Sequence, residues 1–152
     1  DALPAALAAD AVHRFYDAVT FNWLIGGTDA HAKNSSLLLA GSQIRLAPLY
    51  DLASALPYSD DIQRLKLAMK YGGDYTLRPR TTSVWRKVAT EFSLPGATVR
   101  QRAQELADRI PDALSTAVSD ADVAGLGSAL PSRLVDAVSE RITHVRRTSM
   151  AR

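Results

Sequence analysis

Two short stretches decide the fold of this chain: residues 26–34 read GGTDAHAKN, and residues 46–52 read LAPLYDL. The first stretch follows an apolar segment with helical spacing, and its two glycines predict the end of that helix. Two apolar runs, 37–40 and 43–46, lie between the stretches and are joined by a Gly-Ser pair, which predicts a short β-hairpin. Because a hairpin returns the chain to its start, we expect the two stretches to lie side by side.

The rest of the sequence predicts a mainly α-helical protein. With 152 residues, the chain has the length of one domain. Alternating apolar residues from Leu65 to Met69 predict a half-exposed strand or extended segment. Apolar residues recur at steps of three and four in several other segments. The predicted helices cover residues 8–25, 84–92, 97–118 with a break or kink near Pro111, and 132–145, and a loop is predicted over 119–129.

Composition excludes several classes of protein. An apolar fraction of 47% with 22% charged residues is typical of a globular fold and excludes a disordered or collagen-like chain. The absence of cysteine excludes a disulfide scaffold, a thiolate zinc site and a cysteine nucleophile. No apolar run reaches the roughly 18 residues that a membrane span needs, so we expect no membrane association.

Positive charge is modest and lies mainly in the second half of the chain. A net charge of +2 is far short of the dense basic face of a dedicated nucleic-acid-binding protein. Two short basic clusters are typical of solvated helix faces, with a phosphate-rich partner as the alternative. They consist of Arg78, Arg80, Arg86 and Lys87, and of Arg141, Arg146 and Arg147.

Three oxygen-bearing side chains in the two stretches, Asp29, Asn34 and Asp51, fit the needs of phosphoryl transfer. That reaction uses a carboxylate to accept the proton of the incoming hydroxyl, and hard oxygen ligands to hold Mg²⁺ against the phosphates of ATP. Asp29 and Asn34 have the Asp-x-x-x-x-Asn spacing of protein-kinase catalytic loops, and Asp51 follows a hairpin, as the metal-binding aspartate of kinases does. The sequence therefore predicts that Asn34 and Asp51 share one cation, with Asp29 beside them.

These residues also have plainer interpretations. Asp and Asn are common turn residues that hydrogen-bond to their own backbone, and two glycines precede them here. A histidine in a polar loop, such as His31, is more often a structural hydrogen-bonding residue than a proton shuttle or a ligand. Lys33 fits a solvated side chain as well as a phosphate-facing one. Trp23 and Trp85 fall on apolar helix faces, which predicts that both belong to the core.

Three segments together resemble a known family. Residues 27–34 and 46–52 are similar to the C-terminal lobe of HipA-type serine/threonine kinases, the toxins of bacterial HipBA toxin–antitoxin systems. Residues 66–73, up to Trp85, resemble the part of that family between its metal site and its C-terminal helices. The likeness covers residues 15–92, and beyond them only the helical character agrees. It implies the mainly α, helical C-lobe of a protein-kinase-like fold with a short β-hairpin.

The resemblance assigns roles to the site residues. It implies that Asp29 is the catalytic base, and that Asn34 and Asp51 are the Mg²⁺ ligands that act with ATP. His31 would buttress the loop by hydrogen bonds. Lys33 would neutralise charge on the transferred phosphoryl group.

The resemblance also implies an organisation and a set of partners. Residues 1–152 would form one kinase lobe, with the catalytic loop and metal site within 22–52 and a helical subdomain over 81–150. The chain begins without a methionine and has neither a Gly-rich phosphate loop nor a strand lysine before Asp29. We therefore expect the C-terminal part of a longer bacterial cytoplasmic kinase, inactive by itself. Its partners would be a protein substrate and a HipB-like antitoxin, with DNA reached only through the antitoxin.

Two other functions stay open at this point. A non-catalytic helical module could bind a protein or DNA through the basic second half, with the loop serving only as a turn. A phosphohydrolase-like enzyme could use Asp29, His31 and Asp51, but it lacks the further His or Asp ligands that a two-metal site needs.

Overall fold

Helix α1 (Ala5–Ile25) carries the first stretch at its carboxyl end and packs against α-helices from the second half of the chain and against both hairpins. The computed structural model describes residues 5–41 and 43–150, and it confirms the prediction of a mainly helical fold. No helix within these ranges is long and apolar enough to cross a bilayer. The other helices are α2 (Thr82–Glu91), α3 (Gly96–Val118), α4 (Ala121–Ala124) and α5 (Leu130–Val145), and a π-helical segment, Arg146–Met150, continues α5.

The predicted hairpin between the two stretches is confirmed. Strand β1 (Leu37–Ala40) pairs antiparallel with β2 (Gln43–Leu46). Gly41, in the connecting turn, has a φ of 60°, in the left-handed region that glycine adopts without strain. Ser42, the second residue of the predicted turn, lies outside the described residues.

A second hairpin was predicted only in part. The expected strand is β3 (Lys66–Tyr71), and it pairs antiparallel with β4 (Asp74–Thr76), which the sequence analysis did not identify. Gly72 and Gly73 connect the two strands with φ values of 67° and 80°. Two consecutive residues with positive φ form the tight turn that hairpins favour, so the Gly-Gly pair was the signal for β4.

The structure differs from the sequence prediction at two places in the second half of the chain. The loop predicted over 119–129 contains α4, because the Asp120 side chain caps that helix by accepting a hydrogen bond from Asp122 N (2.9 Å). Helix α3 continues through Pro111 without a break. Ala107 and Ile110 of α3 are buried, and this packing against the core stabilises the helix despite the hydrogen bond that proline cannot make.

Three aromatic rings form the centre of the core. Trp23 is fully buried and Trp85 is 3% exposed, so the prediction that both are core residues is confirmed. The Trp23 ring centroid lies 5.6 Å from that of Tyr71 and 5.8 Å from that of Trp85, the latter edge to face. Aromatic pairs at such distances stabilise a fold beyond the area that they bury.

Two arginines of the basic clusters lie beside these rings. Arg80 is 2% exposed and Arg141 is 4% exposed, so the interpretation of the clusters as solvated faces is wrong for both. The Arg80 guanidinium lies 5.5 Å from the Trp23 ring centroid, and its Nη2 donates to Thr76 O (2.8 Å). The ring face and the carbonyl replace the water that the cation loses. The other members of the clusters, Arg78, Arg86, Lys87, Arg146 and Arg147, are exposed.

Candidate active site

The chain leaves α1 through a turn that requires both glycines. Gly26 has a φ of 69°, and a Cβ atom on it would lie 2.6 Å from Leu56 Cγ. A Cβ atom on Gly27 would clash with the Asn22 side chain. Gly27 N donates to Asn22 O (2.7 Å), which closes the helix end. The turn therefore fixes the direction in which the following loop leaves the helix.

Asp29 lies near the tip of this loop. Its side chain is 81% exposed, and His31 N donates to Asp29 O (2.8 Å). A 3₁₀ turn, Ala32–Asn34, follows, and within it Asn34 N donates to His31 O (2.9 Å). The loop leaves the Asp29 carboxylate open to solvent and brings Asn34 to the second stretch.

Asn34 and Asp51 join the two stretches directly. Asn34 Nδ2 donates a hydrogen bond to Asp51 Oδ2 (2.8 Å). This bond leaves the amide oxygen of Asn34 and the second carboxylate oxygen of Asp51 available to a cation. Hard oxygen ligands of this kind are those that Mg²⁺ binds in proteins, so the pair fits a magnesium ion.

Tyr50 is a site residue that sequence reasoning missed. Its hydroxyl donates to Lys33 O (2.6 Å) and lies 2.8 Å from Ser36 Oγ. Ala47 N donates to Ser36 O (2.8 Å), which extends the pairing of β1 and β2 by one residue, to Ser36. Tyr50 therefore ties the backbone before Asp51 to the backbone around Asn34. The sequence signal that could have identified this residue is the position of a tyrosine directly before Asp51, the candidate metal ligand.

His31 and Lys33 differ from the other candidates. His31 Nε2 lies 4.0 Å from Asp29 Oδ1, longer than a hydrogen bond, and its buried Nδ1 has no partner among residues 5–41 and 43–150. The side-chain hydrogen bonds expected of His31 are thus absent among these residues. The Lys33 side chain is exposed. Its backbone carbonyl accepts the hydrogen bond from the Tyr50 hydroxyl.

The phosphohydrolase alternative requires a cluster of metal-binding side chains. Among the residues that the structure describes, no three His, Cys, Asp or Glu side chains form a group able to hold a metal ion. A two-metal hydrolase needs several such ligands. The candidate site consists instead of the Asp51 carboxylate and the Asn34 amide, and the exposed Asp29 carboxylate lies on the same loop as Asn34.

Replacing Tyr50 by Phe is expected to lower the free energy of unfolding by about 1 kcal/mol, because the hydroxyl makes its two contacts with Lys33 O and Ser36 Oγ. Urea denaturation followed by circular dichroism measures the change. Tyr58→Phe is the matched control, since Tyr58 is 71% exposed and its variant should stay within about 0.5 kcal/mol of the parent sequence. Equal effects in the two variants would contradict the role given to Tyr50.

Comparison with solved structures defines the class of fold. The chain matches HipA in the complex of HipA, HipB and operator DNA from Shewanella oneidensis MR-1, with a TM-score of 0.70 and 23% sequence identity. The match covers 93% of this chain and 36% of that chain. At this identity the match shows a shared fold.

The sequence places the chain within a family. The model of the HipA-like C-terminal domain matches residues 2–114. The chain belongs to the HipA-like C-terminal domain family, which confirms the resemblance seen in its three segments.

Two curated relatives are longer proteins. The chain is 33% identical over 142 residues to the candidate kinase Y4mE of Sinorhizobium fredii, covering 93% of this chain and 33% of that protein. It is 31% identical over 100 residues to the serine/threonine-protein kinase toxin HipA of Shewanella oneidensis, covering 64% of this chain and 22% of that protein. The chain thus spans a third or less of the length of these relatives.

Proposed function

We propose that this chain is the C-terminal catalytic lobe of a HipA-like serine/threonine kinase, and we call the longer protein the parent protein. The parent protein would transfer the γ-phosphate of ATP to a protein hydroxyl with Mg²⁺. The observation that carries this proposal is the 2.8 Å hydrogen bond between Asn34 and Asp51, formed beside a loop that exposes Asp29. The names of the two kinase relatives support it.

Each side chain of the site has a role in the proposed reaction. The Asp29 carboxylate accepts the proton of the substrate hydroxyl as its oxygen bonds to phosphorus and the bond to the leaving diphosphate breaks. Asn34 and Asp51 hold Mg²⁺ through their oxygens. The metal ion supplies charge neutralisation for the phosphates. Lys33, exposed on the same loop, adds positive charge near the transferred group.

The partners of the parent protein follow from the same proposal. The structurally similar HipA was solved in a complex with HipB and operator DNA. We infer that the parent protein binds a HipB-like antitoxin and that DNA is reached through that antitoxin. A protein that carries the phosphorylated hydroxyl is its substrate, and the bacterial cytoplasm is where these partners meet.

The chain alone is expected to bind ATP with Mg²⁺ more weakly than micromolar affinity. Phosphoryl-transfer sites grip the phosphates with a glycine-rich loop and a lysine, and this sequence has neither before Asp29. Isothermal titration calorimetry of the chain and of the parent protein with ATP and Mg²⁺ makes the comparison. Micromolar binding by the parent protein alone supports the proposal.

Two other results would count against it. Micromolar binding by the chain itself would mean that the nucleotide site lies elsewhere. A parent protein that binds no ATP and transfers no phosphate would favour the non-catalytic interaction module.

A further inference from the structure

We propose that Arg141, on α5, is a positioning residue for residues 27–34, the loop that carries Asp29 and Asn34 and is called the catalytic loop below. Arg141 holds the start of this loop by capping the carboxyl end of α1. Arg141 lies more than one hundred residues from this loop in the sequence. Among the described residues, its side chain makes no hydrogen bond to Asp29, Asn34 or Asp51. The inference rests on the proposed function for its effect on catalysis. Its effect on the loop itself can be measured independently.

The contact is a set of buried hydrogen bonds to two carbonyls of α1. Arg141 Nε donates to Trp23 O (3.1 Å) and Leu24 O (3.0 Å), and Nη2 donates to Trp23 O (2.7 Å). Carbonyls in the last turn of a helix have no partner within the helix and must find one elsewhere. A planar guanidinium suits this purpose because its several N–H groups point in fixed directions.

The neighbouring carbonyls at this helix end also have partners from outside α1. Ile25 O accepts from Ser54 Oγ (2.6 Å), and Gly26 O accepts from Ala55 N (3.0 Å). Arg141 thus binds the carbonyls of residues 23 and 24, and residues 54–55 bind the carbonyls of residues 25 and 26. The catalytic loop starts immediately after this fully capped end, so its position depends on both.

The charge of Arg141 is matched to the helix rather than to a carboxylate. No Asp or Glu in the described residues forms an ion pair with it, and the carboxyl end of α1 offers the partial negative charge of the helix dipole. Burial, and then the nearby Arg80, lower the pKa of Arg141 to about 10. The side chain therefore stays charged at neutral pH.

Arg80 provides a matched control for Arg141. Both guanidiniums are buried, and both lie 5.5 Å from the Trp23 ring centroid. Arg80 donates to Thr76 O (2.8 Å) and lies 3.8 Å from Asp74 Oδ2, so its bonds go to the second hairpin. Removing either arginine disturbs the same aromatic core, and only Arg141 caps α1.

Hydrogen exchange of this chain tests the cap directly. We expect Arg141→Met to speed amide exchange over residues 22–34 by at least about tenfold, since it removes charged buried hydrogen bonds, while Arg80→Met leaves that segment within about twofold. Both variants should lower the melting temperature. Arg141→Lys keeps the charge with fewer donors and should give an intermediate exchange rate, and it serves as the test if Arg141→Met does not fold.

Kinetics of the parent protein test the consequence for catalysis. We expect Arg141→Met to lower kcat by about tenfold with KM for ATP within about twofold. The variant displaces Asp29, the proposed base, but it does not alter the glycine-rich loop and lysine that bind the phosphates of ATP in the parent protein. Arg80→Met should retain kcat. Unchanged exchange of residues 22–34 in Arg141→Met, or equal changes in both arginine variants, would overturn the proposal. A wild-type parent protein without phosphotransfer would refute the proposed function, and the exchange result would still decide the role of the cap.

Discussion

Asp29→Asn in the parent protein is expected to reduce kcat for phosphotransfer by about 10²–10⁴-fold. The amide has the shape of the carboxylate but cannot accept the proton of the substrate hydroxyl, and loss of a general base has effects of this size. A radiolabelled-ATP assay of the parent protein with its substrate, or of its autophosphorylation, measures the rate.

The fold should be unaffected by this change. The Asp29 side chain is 81% exposed, and among the described residues its one neighbour within salt-bridge distance is His31, at 4.0 Å, so the free energy of unfolding should change by less than about 0.5 kcal/mol. Asp60→Asn, at another exposed loop aspartate, is the control and should retain full activity. Near-normal activity of Asp29→Asn, or loss of helicity together with activity, would show that Asp29 is a turn residue rather than the base.

Trp23→Ala should cause the largest loss of stability of any variant considered. Trp23 is fully buried, contacts the rings of Tyr71 and Trp85, and has the guanidiniums of Arg80 and Arg141 against it. Truncation of a buried tryptophan costs about 3–5 kcal/mol. In a chain of this length the melting temperature should fall by about 10 °C or more, as measured by thermal circular dichroism.

Trp23→Phe separates the contributions of ring volume and polar group. The indole Nε1 is buried without a hydrogen-bond partner among the described residues, so its removal costs no hydrogen bond. We expect Trp23→Phe to retain a larger part of the stability than Trp23→Ala. Equal losses in the two variants would mean that a phenyl ring at this position contributes no stability and that contacts specific to the indole ring account for the loss.

Local patterns explain why much of the fold could be predicted. The helical spacing before Gly26 and the hairpin between the two stretches are encoded by neighbouring residues. A hairpin of four-residue strands must bring its ends together, so the proximity of Asn34 and Asp51 follows from the same local signal. The catalytic and metal-binding roles of these residues stay predictions that the proposed experiments test.

Long-range packing explains what the sequence did not reveal. The burial of Arg80 and Arg141 depends on a tryptophan and on carbonyls from a distant helix, and no pattern around either arginine indicates them. The same holds for Tyr50, whose hydroxyl binds the Ser36 hydroxyl 14 residues away and the Lys33 carbonyl 17 residues away. Basic residues within a charged cluster look alike in sequence, and only the tertiary structure separates the buried ones from the solvated ones.

Backbone conformation restricts the identity of residue 51 independently of its chemistry. Asp51 has a φ of 55°, a region in which Asp and Asn are the most tolerated residues besides glycine. A glutamate would carry the same charge, but it lacks the short side chain that makes this conformation accessible. Of the two acidic residues, aspartate is therefore the one favoured by the left-handed bend at which the residue 51 carboxylate accepts from Asn34. The backbone at residue 51 thus favours aspartate whether or not the carboxylate has the proposed role in metal binding.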